Sequence, residues 1–208
     1  MRFPRFPALL SSLFLASAAP CFAQAAPDMP AYTEVLAQSG GWVVARHIDP
    51  HEPPPEPVKP APAKGEPAVE PPPSTRFCAL YVSSGARGSG ATPLAFMLVA
   101  GPQGWKLDSV RAPGAPPLKP GQQSALTLQA GDTALPFTMF NATPAMQVTY
   151  LSPEQAHSLL QALEGSTRVT VLPSVKQHFT LTLPPHFNTL VQALRSCVPT
   201  LGYVGRKF

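Results

Sequence analysis

Phe77-Cys78-Ala79-Leu80-Tyr81-Val82-Ser83-Ser84 is a short apolar run that gives way to a loop of glycine, serine and alanine. A run of this length, holding valine and aromatic residues and bounded by turn formers, reads as a strand rather than a helix. Two more follow, Pro93 to Ala100 and Gly104 to Arg111, again separated by Gly, Pro and Ser. Beyond the proline-rich turn Ala112–Pro120, Ala125 to Ala130 and Thr133 to Phe140 flank Gly131-Asp132, a two-residue hairpin signal. Met146 to Leu151 forms another strand. Arg168 to Leu172 and Gln177 to Leu183 make a strand pair around Pro173-Ser174. In the second of these, Phe179, Leu181 and Leu183 alternate with Thr180 and Thr182, the period of a half-buried strand.

Two helices interrupt the pattern. Ser152-Pro153-Glu154-Gln155 combines a capping serine, a first-turn proline and a glutamine at capping-box spacing. Leu159, Leu160 and Leu163 then line one face, and Gly165 ends the helix. From about His186 to Cys197, Phe187, Leu190, Val191 and Leu194 form a second apolar stripe. The expected class is mainly β (α+β): an antiparallel, β-sandwich-like body over 75–208 with two short helices in its C-terminal region. About 130 residues suffice for one core.

Upstream the chain changes character. Trp42-Val43-Val44-Ala45-Arg46-His47-Ile48 reads as a strand, preceded by a short helix over Pro30–Gln38 that stops near Gly40-Gly41. From Pro50 to Pro73, eleven of 24 residues are proline, interleaved with Glu and Lys. Proline removes backbone donors, so 50–74 is neither helix nor central strand; fully extended it would reach about 75 Å at about 3.1 Å per residue. A solvated loop without a partner is favoured over a recognition segment. If the Trp42 strand joins the later sheet, this run is an excursion from one domain; otherwise it is a linker.

At the start, Arg2 and Arg5 precede the apolar run Ala8–Ala16 and small residues leading to cleavage points after Ala23 or Ala25. This order reads as a secretory signal peptide over 1–25, followed by an N-terminal segment with the first strand over 26–49. A buried N-terminal helix fits poorly, because Pro4, Pro7 and Pro20 interrupt it. Removal of the leader takes Arg2, Arg5 and Cys21, so 13 Lys and Arg would face 11 Asp and Glu, and two cysteines would remain. A lipid anchor on Cys21 is disfavoured by Pro20 before it. No cluster of Lys and Arg supports nucleic-acid binding. Cys78 and Cys197 are an even pair in an oxidising compartment, and one disulfide between them is the simplest reading; two buried free thiols are the alternative. The expected location is periplasmic or secreted, with no transmembrane span in the mature chain.

The order of these features resembles the invasion-associated locus B family of alphaproteobacterial envelope proteins. The resemblance rests on Gly41-Trp42-Val43-Val44, on Cys78-Ala79-Leu80 and on the turn Pro117-Leu118-Lys119-Pro120-Gly121 before a hairpin. A Leu-Leu-x-x-Leu helix and the Phe179–Leu183 segment entering a last helix complete it. It covers about residues 40–197. Family members carry further cysteines where this chain has Ala45-Arg46, and a close pair where Asn141 and Ala145 stand, so their disulfide scheme does not transfer. The resemblance implies a secreted or periplasmic β-rich protein, linked in some pathogens to host-cell invasion, without a catalytic set.

The residues themselves offer no candidate catalytic, cofactor-binding or metal-ligating group. His47, His51, His157, His178 and His186 show no close ligand spacing. Gly85–Gly90 lacks the Lys-Ser/Thr ending of a phosphate loop, and Ser89 is not in a Gly-x-Ser-x-Gly elbow. Among the four carboxylates of the body, Asp108, Asp132, Glu154 and Glu164, only Asp108 and Glu164 lack an obvious turn or helix-end role. Trp42 and Trp105 read as core or edge anchors, and Asn141-Ala142-Thr143 matches a glycosylation sequon. The function expected is a non-catalytic module binding an envelope or host protein, or a surface polymer. The alternatives are a small hydrolase with a dispersed site and a proline-rich envelope tether. Joining Asp108 or Glu164 to a histidine in one pocket would favour the hydrolase.

Overall fold

The computed structural model describes residues 32–55, 74–83, 94–110, 117–174, 177–203 and 208. The leader 1–25, the Gly85–Gly90 loop and 56–73 of the proline run lie outside the described residues. Ten strands are hydrogen-bonded in one antiparallel sheet: β1 (Thr33–Ser39), β2 (Trp42–His47), β3 (Phe77–Ser83), β4 (Leu94–Gly101), β5 (Gly104–Val110), β6 (Gln123–Ala130), β7 (Thr133–Asn141), β8 (Met146–Leu151), β9 (Arg168–Ser174) and β10 (Gln177–Thr182). Their spatial order is β1-β2-β3-β4-β5-β8-β7-β6-β9-β10. Helix α1 (Pro153–Glu164) lies between β8 and β9, and α2 (Phe187–Cys197) runs into a 3-10 turn, Val198–Leu201. The mainly β class with two short helices is as expected.

One expectation fails. Where a short helix was expected over Pro30–Gln38, the described part, from Tyr32, forms strand β1, paired along β2 from Thr33↔His47 to Ser39↔Trp42. The intervening Gly40 and Gly41 both have positive φ, 54° and 86°. A two-residue hairpin turn of this twist needs positive φ at both central positions, which glycine adopts without strain. Two glycines that read as a helix stop are instead the turn of a hairpin.

The sheet is not flat. β5 and β8 pair over six residue pairs, whereas β7 and β8 pair only at Phe140↔Val148 and Asn141↔Gln147. This short seam divides six strands, β1–β5 with β8, from four, β7-β6-β9-β10. The Trp42 indole Nε1 on β2 nevertheless donates to the carbonyl oxygen of Thr182, the last residue of β10, at 2.9 Å. The two strands are eight places apart in the order, a separation of roughly 38 Å in a flat sheet at about 4.8 Å per strand. The sheet must therefore fold over on itself, which gives the sandwich-like form.

Both leaves and both helices share one core. Trp42, Val44, Leu80, Leu98 and Leu107 come from the six-strand leaf, and Leu126, Leu128, Met139, Val169 and Val171 from the four-strand leaf. Leu159, Leu160 and Leu163 of α1, with Phe187, Leu190, Val191 and Leu194 of α2, fill the space between. α1 opens with the expected capping box: Ser152 Oγ accepts from the Gln155 N–H, and the Gln155 side chain accepts from the Ser152 N–H. It ends at Gly165, which is not in the left-handed region. Trp42 is fully buried, its ring 5.0 Å from Phe187 edge-to-face and 5.5 Å from Phe96. At the seam the core turns polar. Asn141 accepts from Ser124 Oγ at 2.6 Å and donates from Nδ2 to the Lys119 carbonyl at 3.1 Å, pinning the Pro117–Gly121 turn. Asn141 is buried and bonded at both Oδ1 and Nδ2, so the residue of the sequon is a structural position.

β2 and β3 pair over six residue pairs, Trp42↔Val82 to His47↔Phe77. In the chain the proline run falls between these two neighbouring strands of one sheet. No helix among the described residues is long and apolar enough to cross a membrane.

Candidate functional site

Cys78 lies on the inward face of β3 and Cys197 is the last residue of α2. Their disulfide joins positions 119 residues apart with a Cα–Cα distance of 6.1 Å. Both residues are buried. The bond fastens α2 to the middle of the six-strand leaf and fixes the point from which the chain continues through Val198–Leu201. It is the one pair of site residues expected from the sequence, and the structure brings the two together.

A second anchor holds the ends of the proline run. The Glu52 carboxylate accepts from the Thr75 N–H at 3.0 Å, from Thr75 Oγ1 and from Ser74 Oγ, and Arg76 lies 3.8 Å away. Arg76 also donates to the Glu52 carbonyl at 2.9 Å. Tyr203 closes the cluster, its hydroxyl 2.8 Å from Ser74 Oγ and donating to the Arg76 carbonyl at 2.9 Å. Burial alone would raise the Glu52 pKa, but the bonds from Ser74 and Thr75 and the charge of Arg76 outweigh it and lower it. This clasp was invisible in the sequence, because Tyr203 and Ser74 are 129 residues apart.

Beside the clasp is a groove of about 400 Å³ lined by Trp105, Arg195, Val198, Pro199, Tyr203 and Phe208. Trp105 comes from β5, Arg195 from α2, and the remainder from the chain beyond Cys197. The Phe208 ring stands edge-on to Trp105 at 6.2 Å and tilted on Tyr203 at 6.1 Å. Arg195 holds Glu164 of α1 with one bond from each terminal nitrogen, at 3.1 and 3.4 Å. The buried Trp105 Nε1 has no hydrogen-bond partner among the described residues. Trp42 is the core anchor expected of it; Trp105 is a core residue that also forms a groove wall.

The two carboxylates singled out in the sequence are kept apart. Asp108 lies on the outward sheet face, opposite Met97 and Val148, with Lys106 Nζ at 3.1 Å from Oδ2. Only 3% of Asp108 is exposed and its Oδ1 has no partner. Burial raises its pKa, and Lys106 only partly opposes the shift. Glu164 belongs to α1, on the inward side. His47 stacks on Phe77 at 5.2 Å, and His51 meets Tyr32 edge-on. His157, His178 and His186 are exposed. The Trp105 groove is lined by neither carboxylate and by no histidine, and among the described residues no group of three or more His, Cys, Asp and Glu could hold a metal.

Comparison of the chain with protein-family models, with curated proteins and with solved structures finds no match in any of the three.

Proposed function

We propose that this protein is a non-catalytic binding module of the periplasm or extracellular space, delivered by cleavage of the 1–25 leader. In this reading it holds another protein or a surface polymer on its β body, in the manner of the invasion-associated locus B proteins it resembles. The observation that carries the reading is the anchoring of the C-terminal segment. The Cys78–Cys197 disulfide at one end and the Tyr203 hydroxyl bonds at the other hold the wall of an aromatic groove against the sheet. A preformed surface of this kind loses less entropy on binding than a mobile one. The disulfide also suits an oxidising compartment, and the clasp between Glu52 and Ser74–Arg76 supports reading the proline run as a loop rather than a tether.

The reading is tested by capture from envelope extract, with the native chain compared with the same chain reduced and alkylated. A partner retained by the native chain alone supports it. Capture of nothing above the alkylated control would remove it.

A further inference from the structure

We propose that Glu52 is the latch of an acid-released switch: protonation of its carboxylate lets go of Ser74–Arg76 and releases Tyr203, loosening the C-terminal wall of the Trp105 groove while the β body stays folded. The consequence for binding rests on the binding-module reading: in acid the preformed groove is lost.

The described bonds at the Glu52 carboxylate are all made to its charged form. Oε1 accepts from Ser74 Oγ, and Oε2 accepts from the Thr75 N–H at 3.0 Å and from Thr75 Oγ1. Three donors thus converge on two oxygens that, when ionised, can only accept. A protonated carboxyl brings a fourth hydrogen among them and is a weaker acceptor. Arg76 adds a second reason to open. Its side chain is 13% exposed, and its buried Nε has no hydrogen-bond partner among the described residues. Glu52, at 3.8 Å, balances the guanidinium charge. Neutral Glu52 leaves that mostly buried charge without its counterion, which is costly.

The Ser74 hydroxyl carries the change to the groove. Its one hydrogen goes to the carboxylate, so its oxygen is left to accept from the Tyr203 hydroxyl at 2.8 Å. Tyr203 also donates to the Arg76 carbonyl at 2.9 Å. Both of these partners sit in the segment that Glu52 holds, and Tyr203 lines the groove with the Phe208 ring at 6.1 Å.

The neighbouring ionisable groups are turned to other work. Asp49 Oδ1 accepts from the His51 N–H, the His51 ring stands against Tyr32, and His47 stacks on Phe77. Arg76 is the cation that faces the carboxylate. Burial raises the Glu52 pKa, but the Ser74 and Thr75 bonds and Arg76 lower it further, so the latch is closed above 4.5 and opens as pH falls through the folded value.

The test uses the full folded chain labelled with 3-fluorotyrosine, which has four tyrosines. Single Tyr→Phe substitutions identify each fluorine resonance. Tyr203 reports on the latch, and Tyr81, buried in the sheet, reports on the β body. The Tyr203 resonance should move in a single proton titration with its midpoint below pH 4.5 while Tyr81 holds its place. In Glu52→Gln the Tyr203 resonance should lie nearer its acid position at neutral pH and should not titrate across that range. Ser74→Ala, which keeps the carboxylate but cuts the relay, should also leave Tyr203 near its acid position. Movement of Tyr203 only together with Tyr81, as in global acid unfolding, would overturn the proposal. The same titration of Tyr203 in Glu52→Gln as in the parent would overturn it too. The expected titration in a chain that captures nothing from envelope extract supports the latch and removes the binding reading alone, so the two fail separately.

Discussion

The Glu52 carboxylate and the Thr75 N–H, 23 residues apart in sequence, meet at 3.0 Å and close the base of the proline-rich excursion. Glu52→Gln replaces the charge-assisted acceptor and leaves its hydroxyl and amide donors weaker partners. The expected loss is about 1.5 kcal/mol, the low end for hydrogen bonds to a charged group because glutamine still accepts. The lowered pKa of Glu52 means that its contribution is present above its unfolded-state value of 4.5 and lost as pH falls through the folded value. Urea unfolding of both chains at pH 7 and in the acid range checks this: the gap between them should close as the solution is acidified.

Trp42 and Thr182 hold the folded-over sheet at its far edges. Trp42→Phe keeps the ring contacts but deletes the indole donor to the Thr182 carbonyl and leaves a void beside Phe96 and Phe187. A destabilisation of about 2 kcal/mol is expected from the lost bond and the cavity together. Equilibrium denaturation with the slope held in view is the check.

Asp108 works against the fold at neutral pH. Its folded-state pKa is raised by burial, so stability is greatest below the ordinary carboxylate value of 3.8 and falls as pH rises through the raised value. Asp108→Val suits its strand position between Met97 and Val148 and removes the unpartnered Oδ1, while Lys106 is exposed enough to remain solvated. The variant should be about 1 kcal/mol more stable than the parent at pH 7, with the advantage shrinking in acid. Thermal melts across pH would read it directly.

The disulfide closes a loop of 119 residues. Replacing Cys78 and Cys197 together by serine should cost about 4 kcal/mol in the chain-entropy account. Unfolding of the double variant by guanidinium measures the loss, and non-reducing peptide mapping of the parent confirms the bond.

Most of the sheet was legible because its strands keep a period of two and its turns carry Gly, Pro or Asp. Phe179-Thr180-Leu181-Thr182 and the hairpin at Gly131, where φ is 57°, are examples. α1 was legible from Ser152, Pro153 and Gln155 alone. β1 was not, and the reason is a bulge. Its register shifts between Val35 and Ala37, so the adjacent Leu36 and Ala37 both pack on the core and break the alternation. Two neighbouring inward residues imitate a helical face. The clasp and the groove escaped because the clasp brings Tyr203 to Ser74 across 129 residues, the groove brings Trp105 to the distant C-terminal segment, and their ordinary polar or aromatic residues form no motif. The fold-over at the β7–β8 seam is likewise a property of the assembled sheet.

The central claim is that the β body, and not the proline run, does the binding. Its most direct test replaces 56–73 by a short Gly-Ser linker between the clasped ends and repeats the capture from envelope extract beside the full chain. The account predicts that both chains retain the same partner. Loss of the partner by the shortened chain, with its fold intact, would contradict it and return the function to the proline-rich segment.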